Sequence, residues 1–498
     1  MTLAPAELED PIEPFGLPSD RPITTVAEAA ARVGSAAPVV HVAGAEGAAP
    51  ALIARAVAAR TPLLYVVPDA DAASRAALDL THLLRALPFA GQDVASFVGD
   101  GAVLSIPTPD ASPYTDAHPD RRATLSKLAA LFRLAKGLPW AVLVTTAAGL
   151  VRRVVPARVL LDAALYLEKD SELDVDAAVK KLAGAGYLRV PVVEDPGTFA
   201  LRGGLIDVWP PAAELPVRAE LYGDLVLSLK SFDPENQRSL EEVPGMWLPP
   251  ARETVLLGET EARAREVMRS LCDAVDLPST KARALIEDVA TGRAFFGGEG
   301  FLPAFYPLDS LFSYLPDGAP ILIEDPPAVV SALRAELERA HGDAAARAGL
   351  PHFPVDALYL DDSELELELA RRRVISAHRS AAVGGQPANA LEAIELAPID
   401  TPTLAAKSHA DLERAVKAAR SVHGKHAVLD PLLRRLAAWR DAGLEVAISA
   451  RNQTQAERAT ALLSHRGIDL GSEAGIHMTI GPLARGVIAP TEGFVLVT

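Results

Sequence analysis

The sequence contains a single cysteine, few aromatic residues and fewer cations than anions, and it has no long apolar run. Cys272 is the only cysteine among 498 residues, which excludes an intramolecular disulfide and a cysteine-based zinc site. This usage is typical of the reducing cytoplasm. We predict that Cys272 is a small buried residue within a helix.

Two further absences limit the class of protein. No run of about 18 uninterrupted apolar residues occurs, so the sequence predicts no membrane span. The first twenty residues carry five acidic side chains and no basic one, which argues against a secretory signal. The net charge of −17 opposes a surface that binds nucleic acid on all sides, because duplex phosphates require a basic face. A protein partner fits this charge better.

The length of the chain and its strand pattern predict several α/β domains. A chain of 498 residues is too long for one hydrophobic core and is expected to hold three or four domains. Residues 38–67 have the pattern of a strand, a glycine turn, a helix and a second buried strand. Such a βαβ unit predicts a parallel sheet with a right-handed crossover.

The glycine turn that starts at Gly44 has the outline of a phosphate-binding loop, G-x-x-x-x-G-K-[ST]. This motif requires a lysine for the β- and γ-phosphates and a hydroxyl for magnesium. Its last three positions hold Ala49, Pro50 and Ala51, so the charge and the metal ligand are absent and a backbone donor is lost. We therefore predict that Gly44 and Gly47 belong to a degenerate nucleotide site, a strand-to-helix turn that binds no nucleotide.

The most distinctive stretch is residues 197–211, GTFALRGGLIDVWPP. Two apolar strand patterns are joined through a Gly-Gly pair beside Arg202, which predicts a short hairpin or bulged strand. Upstream, a helix over 174–185 leads into a strand that carries Arg189. Downstream, residues 217–233 predict a second hairpin, so the whole is a small mixed α/β module with arginines on its strands.

Three segments of this module resemble, in order and spacing, the UvrA-interaction domain shared by the excision-repair protein UvrB and the bacterial transcription-repair coupling factors (Mfd). They are GYLRV at 186–190, TFALRGGLIDVWPP at 198–211 and RAELYGDLVLSLKSFDPENQRSLEEV at 218–243.

The resemblance implies a UvrA-binding role for Arg189 and Arg202, with Phe199 supporting that edge. Position 200 is alanine where UvrB has a further arginine. The alternative for each arginine is a surface ion pair, which is worth about 0–1 kcal/mol. A desolvated interface contact would instead cost about 2–5 kcal/mol on truncation.

The resemblance covers residues 25–498 and implies an α/β multidomain fold. A degenerate, helicase-like parallel-sheet domain is interrupted by the small mixed α/β UvrA-interaction domain and followed by a further α/β domain. The predicted units are a flexible lead-in (1–24), domain 1a (25–151), the UvrA-interaction domain 2 (152–233), domain 1b (234–355), a connector (356–373) and α/β domain 3 (374–498). In the family, polymerase-binding and motor domains would follow Thr498, so the chain is expected to be truncated before them.

The implied function is recruitment in transcription-coupled nucleotide excision repair, in the cytoplasm, without catalysis by these residues. Glu324 and Asp325 end a strand that resembles the one carrying the magnesium-binding acids of UvrB, but two acids without the lysine make no ATPase. The resemblance places ATP, Mg²⁺, RNA polymerase and duplex DNA on the other domains of a full-length translocase. The alternatives are a truncated ATP-dependent DNA-unwinding protein of the UvrB type and a self-contained regulatory adaptor.

Four further patterns have a functional and a structural explanation, and we favour the structural one. Tyr114 is the only aromatic residue in its loop, whereas base-stacking platforms use several. Residues 295–306 could form an aromatic ligand platform or a loop held by rings in the core. Residues 371–373 are three arginines that could bind phosphate or end a helix. His423 and His426 lack an identifiable third ligand, so no metal site is predicted.

Overall fold

The structure is a computed structural model of the chain. It describes residues 22–34, 37–85, 102–107, 111–115, 120–211, 213–292, 298–380, 387–423 and 428–498.

Twenty strands are present in these residues. They are β1 (Ile23–Thr24), β2 (Val39–Val42), β3 (Leu63–Val67), β4 (Val103–Ser105), β5 (Val142–Thr146), β6 (Leu165–Glu168), β7 (Leu188–Arg189), β8 (Thr198–Arg202), β9 (Leu205–Trp209), β10 (Val217–Tyr222), β11 (Leu225–Phe232), β12 (Ser239–Glu242), β13 (Gly245–Leu248), β14 (Ile321–Glu324), β15 (Val374–Ala377), β16 (Thr403–Leu404), β17 (Glu445–Ala450), β18 (Ile476–Ile480), β19 (Val487–Ala489) and β20 (Phe494–Val497).

Fifteen α-helices lie within the same described ranges. They are α1 (Val26–Ala31), α2 (Ala49–Ala58), α3 (Ala70–Leu84), α4 (Arg121–Ala135), α5 (Ala147–Val151), α6 (Ala157–Ala163), α7 (Val175–Gly184), α8 (Thr260–Ala274), α9 (Ser279–Ala290), α10 (Pro326–Ala346), α11 (Asp362–Ala370), α12 (Ala390–Glu395), α13 (Ala410–His423), α14 (Asp430–Asp441) and α15 (Gln453–His465). None of these helices combines the length and the apolar character that crossing a lipid bilayer would require.

A six-stranded parallel sheet in the order β2-β15-β14-β3-β5-β4 forms the first unit. Every residue of β3, β5, β14 and β15 is buried, as expected of a parallel sheet that is covered on both faces. One core packs on each face, and the larger includes α4, α10 and the 3₁₀ helix Gly298–Ala304. The parallel sheet predicted from residues 38–67 is confirmed.

A second six-stranded sheet, in the order β12-β11-β10-β9-β8-β7, is inserted between the strands of the first. It is antiparallel except for β7 and β8, which are parallel. The tight turns between β8 and β9 and between β10 and β11 use Gly203 and Gly223, with φ of 58° and 61°, which glycine adopts without strain. One face packs on α7, and Leu125 of α4 joins that core from the first unit.

A four-stranded sheet in the order β18-β17-β20-β19 forms the C-terminal unit, in which β17, β18 and β20 are parallel. It has a core of its own around Leu436 and Trp439. It also shares apolar core with the first unit, because Ala447, Val487 and Leu496 pack into the same cluster as α2 and α3. The two units therefore share one continuous hydrophobic core.

Two sequence-based domain boundaries require correction. Domain 3 was predicted to begin at residue 374, but β15 pairs with β2 and β14 inside the first sheet. Domain 2 was predicted to end at residue 233, but β12 extends its sheet and β13 pairs with β6.

Candidate functional site

The arginines of the inserted sheet surround one buried carboxylate. Ala200 on β8, Asp207 on β9 and Arg218 on β10 lie directly opposite one another, so their side chains share a face. Arg202 is two residues from Ala200 and lies on the same face because side chains alternate along a strand. We call this the outer face, since the opposite face packs on α7.

Asp207 holds two guanidinium groups together. Arg218 binds it in bidentate fashion, with Nε 2.7 Å from Oδ1 and Nη2 2.9 Å from Oδ2. Arg202 also donates from Nη2 to Oδ2. The hydrogen bonds that Arg218 donates to Asp207 raise the pKa of Arg218 above its ordinary value. Because two cations share one carboxylate, this cluster carries a net charge of about +1 at neutral pH.

Arg202 is the more accessible of the two guanidinium groups. Its side chain is 42% exposed, whereas that of Arg218 is 13% exposed. Arg218 also lies over the Phe232 ring, with its Cζ 4.6 Å from the ring centroid, and donates to the Gln237 carbonyl at 3.1 Å. Arg218 is therefore held in the sheet, while Arg202 can present N–H groups to a partner.

Arg189 occupies the edge strand β7 and lies on the other side of the sheet. It pairs with Phe199, whose ring is 1% exposed and packs in the core with α7. Arg189 itself is exposed and makes no hydrogen bond or ion pair with the part of the chain that the structure describes. Its neighbour Leu188, which is 53% exposed, pairs with Thr198 and therefore shares the outer face with Arg202.

The structure thus brings the three predicted partner-binding residues onto two adjacent strands but not onto one surface. Arg202 lies on the outer face, Arg189 at the edge towards the opposite face, and the Phe199 ring in the interior. The Phe199 ring lies in the core behind the edge strand, so it cannot touch a partner directly, and its supporting role stays a prediction. Ala200 packs with Val193 in a small buried cluster on the outer face.

Sequence reasoning missed Asp207 and Arg218. A partial signal was available, because an acid in the strand LIDVW and a base in the strand VRAELY both occupy the positions that alternate with core-facing apolar residues. The register that places these residues opposite each other, however, depends on the β9–β10 pairing across a seven-residue connection. That pairing cannot be derived from strand patterns alone.

The degenerate nucleotide loop is occupied by other parts of the same chain. Gly44 and Gly47 have φ of 66° and 57°, and a Cβ on either would clash with the carbonyl oxygen of Leu404 or Gly486. The amide of Ala45 donates to His378 O at 2.9 Å, and those of Ala43 and Ala48 donate to Pro402 O and Gly486 O at 2.9 and 3.3 Å. Donors that would cradle a phosphate are therefore already satisfied.

Ala49, Pro50 and Ala51 form the start of α2 and are buried. Pro50 stands in the first turn, where the absence of an N–H costs nothing to the helix. None of the three offers a charged or hydroxyl group. The first turn of α2 therefore contributes apolar packing to the core beside α3.

Glu324 and Asp325 point to different partners. Glu324 is buried, accepts a hydrogen bond from Tyr65 Oη and is paired with Arg485 Nη1. Asp325 has φ of 56° at the N-terminus of α10, and its Oδ2 lies 3.0 Å from Arg379 Nε. Across the described ranges no three His, Cys, Asp or Glu side chains are arranged to hold a metal ion.

Two histidines lie at the ends of β2 and β15, next to the loop. His41 Nδ1 is 3.1 Å from His378 Nε2, and the rings are stacked with centroids 5.4 Å apart. Burial, and to a smaller extent the charge of a protonated His41, lowers the pKa of His378 to about 4. Burial likewise lowers the pKa of His41. Both imidazoles are therefore neutral at physiological pH.

The remaining patterns have structural roles where the structure describes them. Tyr114 is buried and donates to Phe353 O at 3.0 Å, so its ring is not available for base stacking. Arg372 is buried against Phe312 and paired with Glu368 at 2.7 Å. Further buried groups are Cys272, Phe301, Phe305 and Tyr306.

The predicted pair His423 and His426 and the beginning of the 295–306 stretch lie at least partly outside the described residues. Helix α13 ends at His423, and residues 424–427 and 293–297 lie outside the described residues.

The inserted sheet corresponds to a known domain. Residues 165–253 match the family model of the UvrB interaction domain. This range contains β6 to β13, and with them the Asp207 cluster and Arg189. The structure is therefore a parallel α/β unit that carries a UvrB interaction domain and is followed by a second α/β unit.

Similarity to complete proteins extends beyond that domain. The chain is 33% identical over 422 residues to the transcription-repair-coupling factor of Myxococcus xanthus, an alignment that includes 82% of this chain. It is 29% identical over 473 residues to that of Mycobacterium bovis, and 30% identical over 334 residues to that of Escherichia coli, covering 90% and 65% of this chain. The chain belongs to the transcription-repair-coupling factor family.

The chain spans about a third of the length of these relatives. The aligned regions cover 33%, 36% and 27% of the Myxococcus, Mycobacterium and Escherichia proteins, respectively.

Proposed function

We propose that the chain recruits UvrA in transcription-coupled nucleotide excision repair. The observation that carries the proposal is the outer face of the UvrB interaction domain, where Asp207 holds Arg202 half-exposed beside Arg218. A fixed arginine costs little entropy to order on binding, and its planar fork suits carboxylates on a partner. Recruitment by this surface requires no bond chemistry.

The proposed interface wraps the β7 edge. Arg202 and Leu188 lie on the outer face, and Arg189 lies at the edge on the other side. A partner that uses both arginines must therefore cover the edge strand as well as the face. An edge strand with unpaired backbone groups also offers main-chain hydrogen bonds to an added segment.

ATP and Mg²⁺, and the contacts with RNA polymerase and duplex DNA, are proposed to belong to other regions of the family's full-length factors. The filled loop around Gly47 and the engagement of Glu324 by Arg485 support a chain segment that uses no nucleotide. They weigh against the alternative of an ATP-dependent unwinding protein of the UvrB type. The proposed compartment is the cytoplasm.

The first test is the affinity of UvrA for this chain and for the double variant Arg189→Glu/Arg202→Glu, with folding checked by circular dichroism. Reversing two interface charges should weaken binding by at least about 30-fold, since losing desolvated charge pairs costs about 2–5 kcal/mol. The matched control is Arg414→Glu/Arg440→Glu, which reverses two exposed arginines of the C-terminal unit, far from the inserted sheet in sequence. It should bind UvrA like the wild type.

Single variants then separate the two sides of the edge. Arg189→Glu breaks no internal pair of the described chain, so a loss of binding by this variant measures a partner contact. Failure of wild-type protein to bind UvrA, or equal binding by the folded double variant, would contradict the proposal.

A further inference from the structure

We infer that the degenerate nucleotide site has acquired a different ligand, the guanidinium group of Arg485 from the C-terminal unit, and now holds the two units together. We call it the arginine socket, formed by Asp79 on α3, Glu324 at the end of β14 and Tyr65 on β3. All three residues of the socket belong to the first unit.

The socket contains buried negative charge that requires a cation. Asp79 is 0% exposed, and Glu324 and Tyr65 are also buried. Burial raises the pKa of Asp79 above its ordinary value, and the charge of Arg485 offsets part of that rise. Two carboxylates in so little solvent are unfavourable unless they are paired and hydrogen-bonded.

Arg485 satisfies both carboxylates at once. Its Nε lies 2.6 Å from Asp79 Oδ2, and its Nη1 is paired with Glu324 Oε1. The backbone amides of Ala484 and Arg485 donate to Asp79 Oδ1 at 2.8 and 3.0 Å. Asp79 therefore binds the backbone of residues 484–485 as well as the Arg485 side chain. The contact thus fixes which residues of this segment lie against α3.

The glycine loop forms the second part of the same contact. Gly47 leaves no room for a Cβ because Gly486 O lies against it, and Ala48 N donates to that oxygen at 3.3 Å. Glu46 Oε2 accepts a hydrogen bond at 3.0 Å from Ser408 N, in the segment between β16 and α13. The loop thus binds a carbonyl and an amide of the chain where an intact loop would bind phosphate.

These contacts give the acids and glycines a structural role in a site that lacks the lysine and the hydroxyl. A lysine at position 485 could not replace the arginine fully. Only a guanidinium group presents two separate nitrogens, Nε and Nη1, to two separate carboxylates. The inference does not depend on UvrA binding, since none of the socket residues lies in the UvrB interaction domain.

The test measures hydrogen exchange of the full chain by mass spectrometry in wild type, Arg485→Ala and Arg485→Lys. Loss of the guanidinium should increase exchange at least about tenfold in peptides covering 43–52 and 476–489. Peptides covering 198–232 should be unchanged. Arg485→Lys should give an intermediate increase. The matched control Arg440→Ala, which removes an exposed guanidinium of the same unit, should match wild type in all three regions.

Chemical rescue distinguishes a binding site from a general packing defect. Guanidinium chloride at about 20 mM should restore protection in Arg485→Ala, whereas the same concentration of sodium chloride should not. If Arg485→Ala is too unstable for exchange, the same salts are compared by thermal unfolding of Arg485→Lys and of Glu324→Gln. A higher Tm with guanidinium than with sodium is expected only for Arg485→Lys. Wild-type protection in Arg485→Ala, or no difference between the two salts, would overturn the inference.

Discussion

At the scale of single residues, the molecule depends on a few buried charges that are shared between arginines. Asp207 is the clearest case, because one carboxylate accepts from two guanidinium groups on neighbouring strands. Its removal would leave Arg218 largely buried without an anion. A residue that no partner can touch therefore sets the position of one that a partner can.

Asp207→Asn should destabilise the UvrB interaction domain by about 3 kcal/mol, the lower end of the range for breaking a buried pair, since Arg202 can turn to solvent. The measurement is the urea dependence of hydrogen exchange in peptides covering 198–232. Asp224→Asn is the control, because Asp224 is an exposed residue of the β10–β11 turn. A midpoint equal to that of the control would contradict the bridging role of Asp207.

The buried pair of His41 and His378 predicts loss of stability in acid. The pKa of His378 in the folded chain is lowered to about 4 from the ordinary histidine value of about 6.5, so its contribution to stability is complete above pH 6.5. Below pH 6.5 the unfolded chain takes up a proton that the folded chain does not, and stability falls until about pH 4. The size of this loss is on the order of 3 kcal/mol.

The check is the unfolding free energy of wild type and His378→Gln between pH 7.5 and 4.5. The variant should be less stable at pH 7.5, because the packing of the pair is disturbed, but should lose less stability on acidification. Parallel pH profiles in the two proteins would count against this explanation.

At the scale of elements, glycines in the same conformation have different roles. Gly47 and Gly203 have φ of 57° and 58°, but a Cβ at Gly47 would meet Gly486 O, whereas a Cβ at Gly203 would have no atom within 4 Å. Glycine is required at position 203 by the conformation of the turn alone. At position 47 it is also required because the first unit and the C-terminal unit approach closely there.

Gly203→Ala should cost about 1–2 kcal/mol, the penalty of a left-handed conformation for alanine. Gly47→Ala should cost more and should in addition increase hydrogen exchange in peptides covering 476–489, because the β17–β20 unit is pushed away. Thermal unfolding and exchange of the two variants provide the comparison. Equal destabilisation, with unchanged exchange in Gly47→Ala, would show that the close approach has no energetic importance.

Individual elements were predictable where a local signal fixes them. The helix predicted over 174–185 is α7, with Asp174 as its N-cap, and the strand predicted at 63–67 is β3. The Gly-Gly hairpin and the hairpin that turns at Gly223 are confirmed as well. Each of these rests on a cap, a turn residue or an uninterrupted apolar run, which act over a few residues.

What escaped prediction depends on contacts between distant parts of the chain. The pairing of β15 with β2, and the ion pair between Asp79 and Arg485, join residues hundreds of positions apart. An acid on the apolar face of α3 is a sign of a buried partner, but nothing in the sequence identifies that partner. The family resemblance supplied the UvrA-interaction domain, the degenerate loop and Glu324, but not Asp79, Tyr65 or Arg485.

At the scale of the whole molecule, the order of strands in the first sheet has a consequence for synthesis on the ribosome. Strand β2 pairs with β15 alone within the described sheet, so it has no partner until more than 330 further residues have been translated. The inserted sheet is different, because β8 to β12 pair with their neighbours along the chain and all lie between residues 198 and 242. Sheets with local pairing close quickly, whereas distant pairing is slow. The inserted sheet can therefore fold while the first unit is still incomplete. A nascent chain would then expose the outer face, with Arg202, before the parallel sheet has formed.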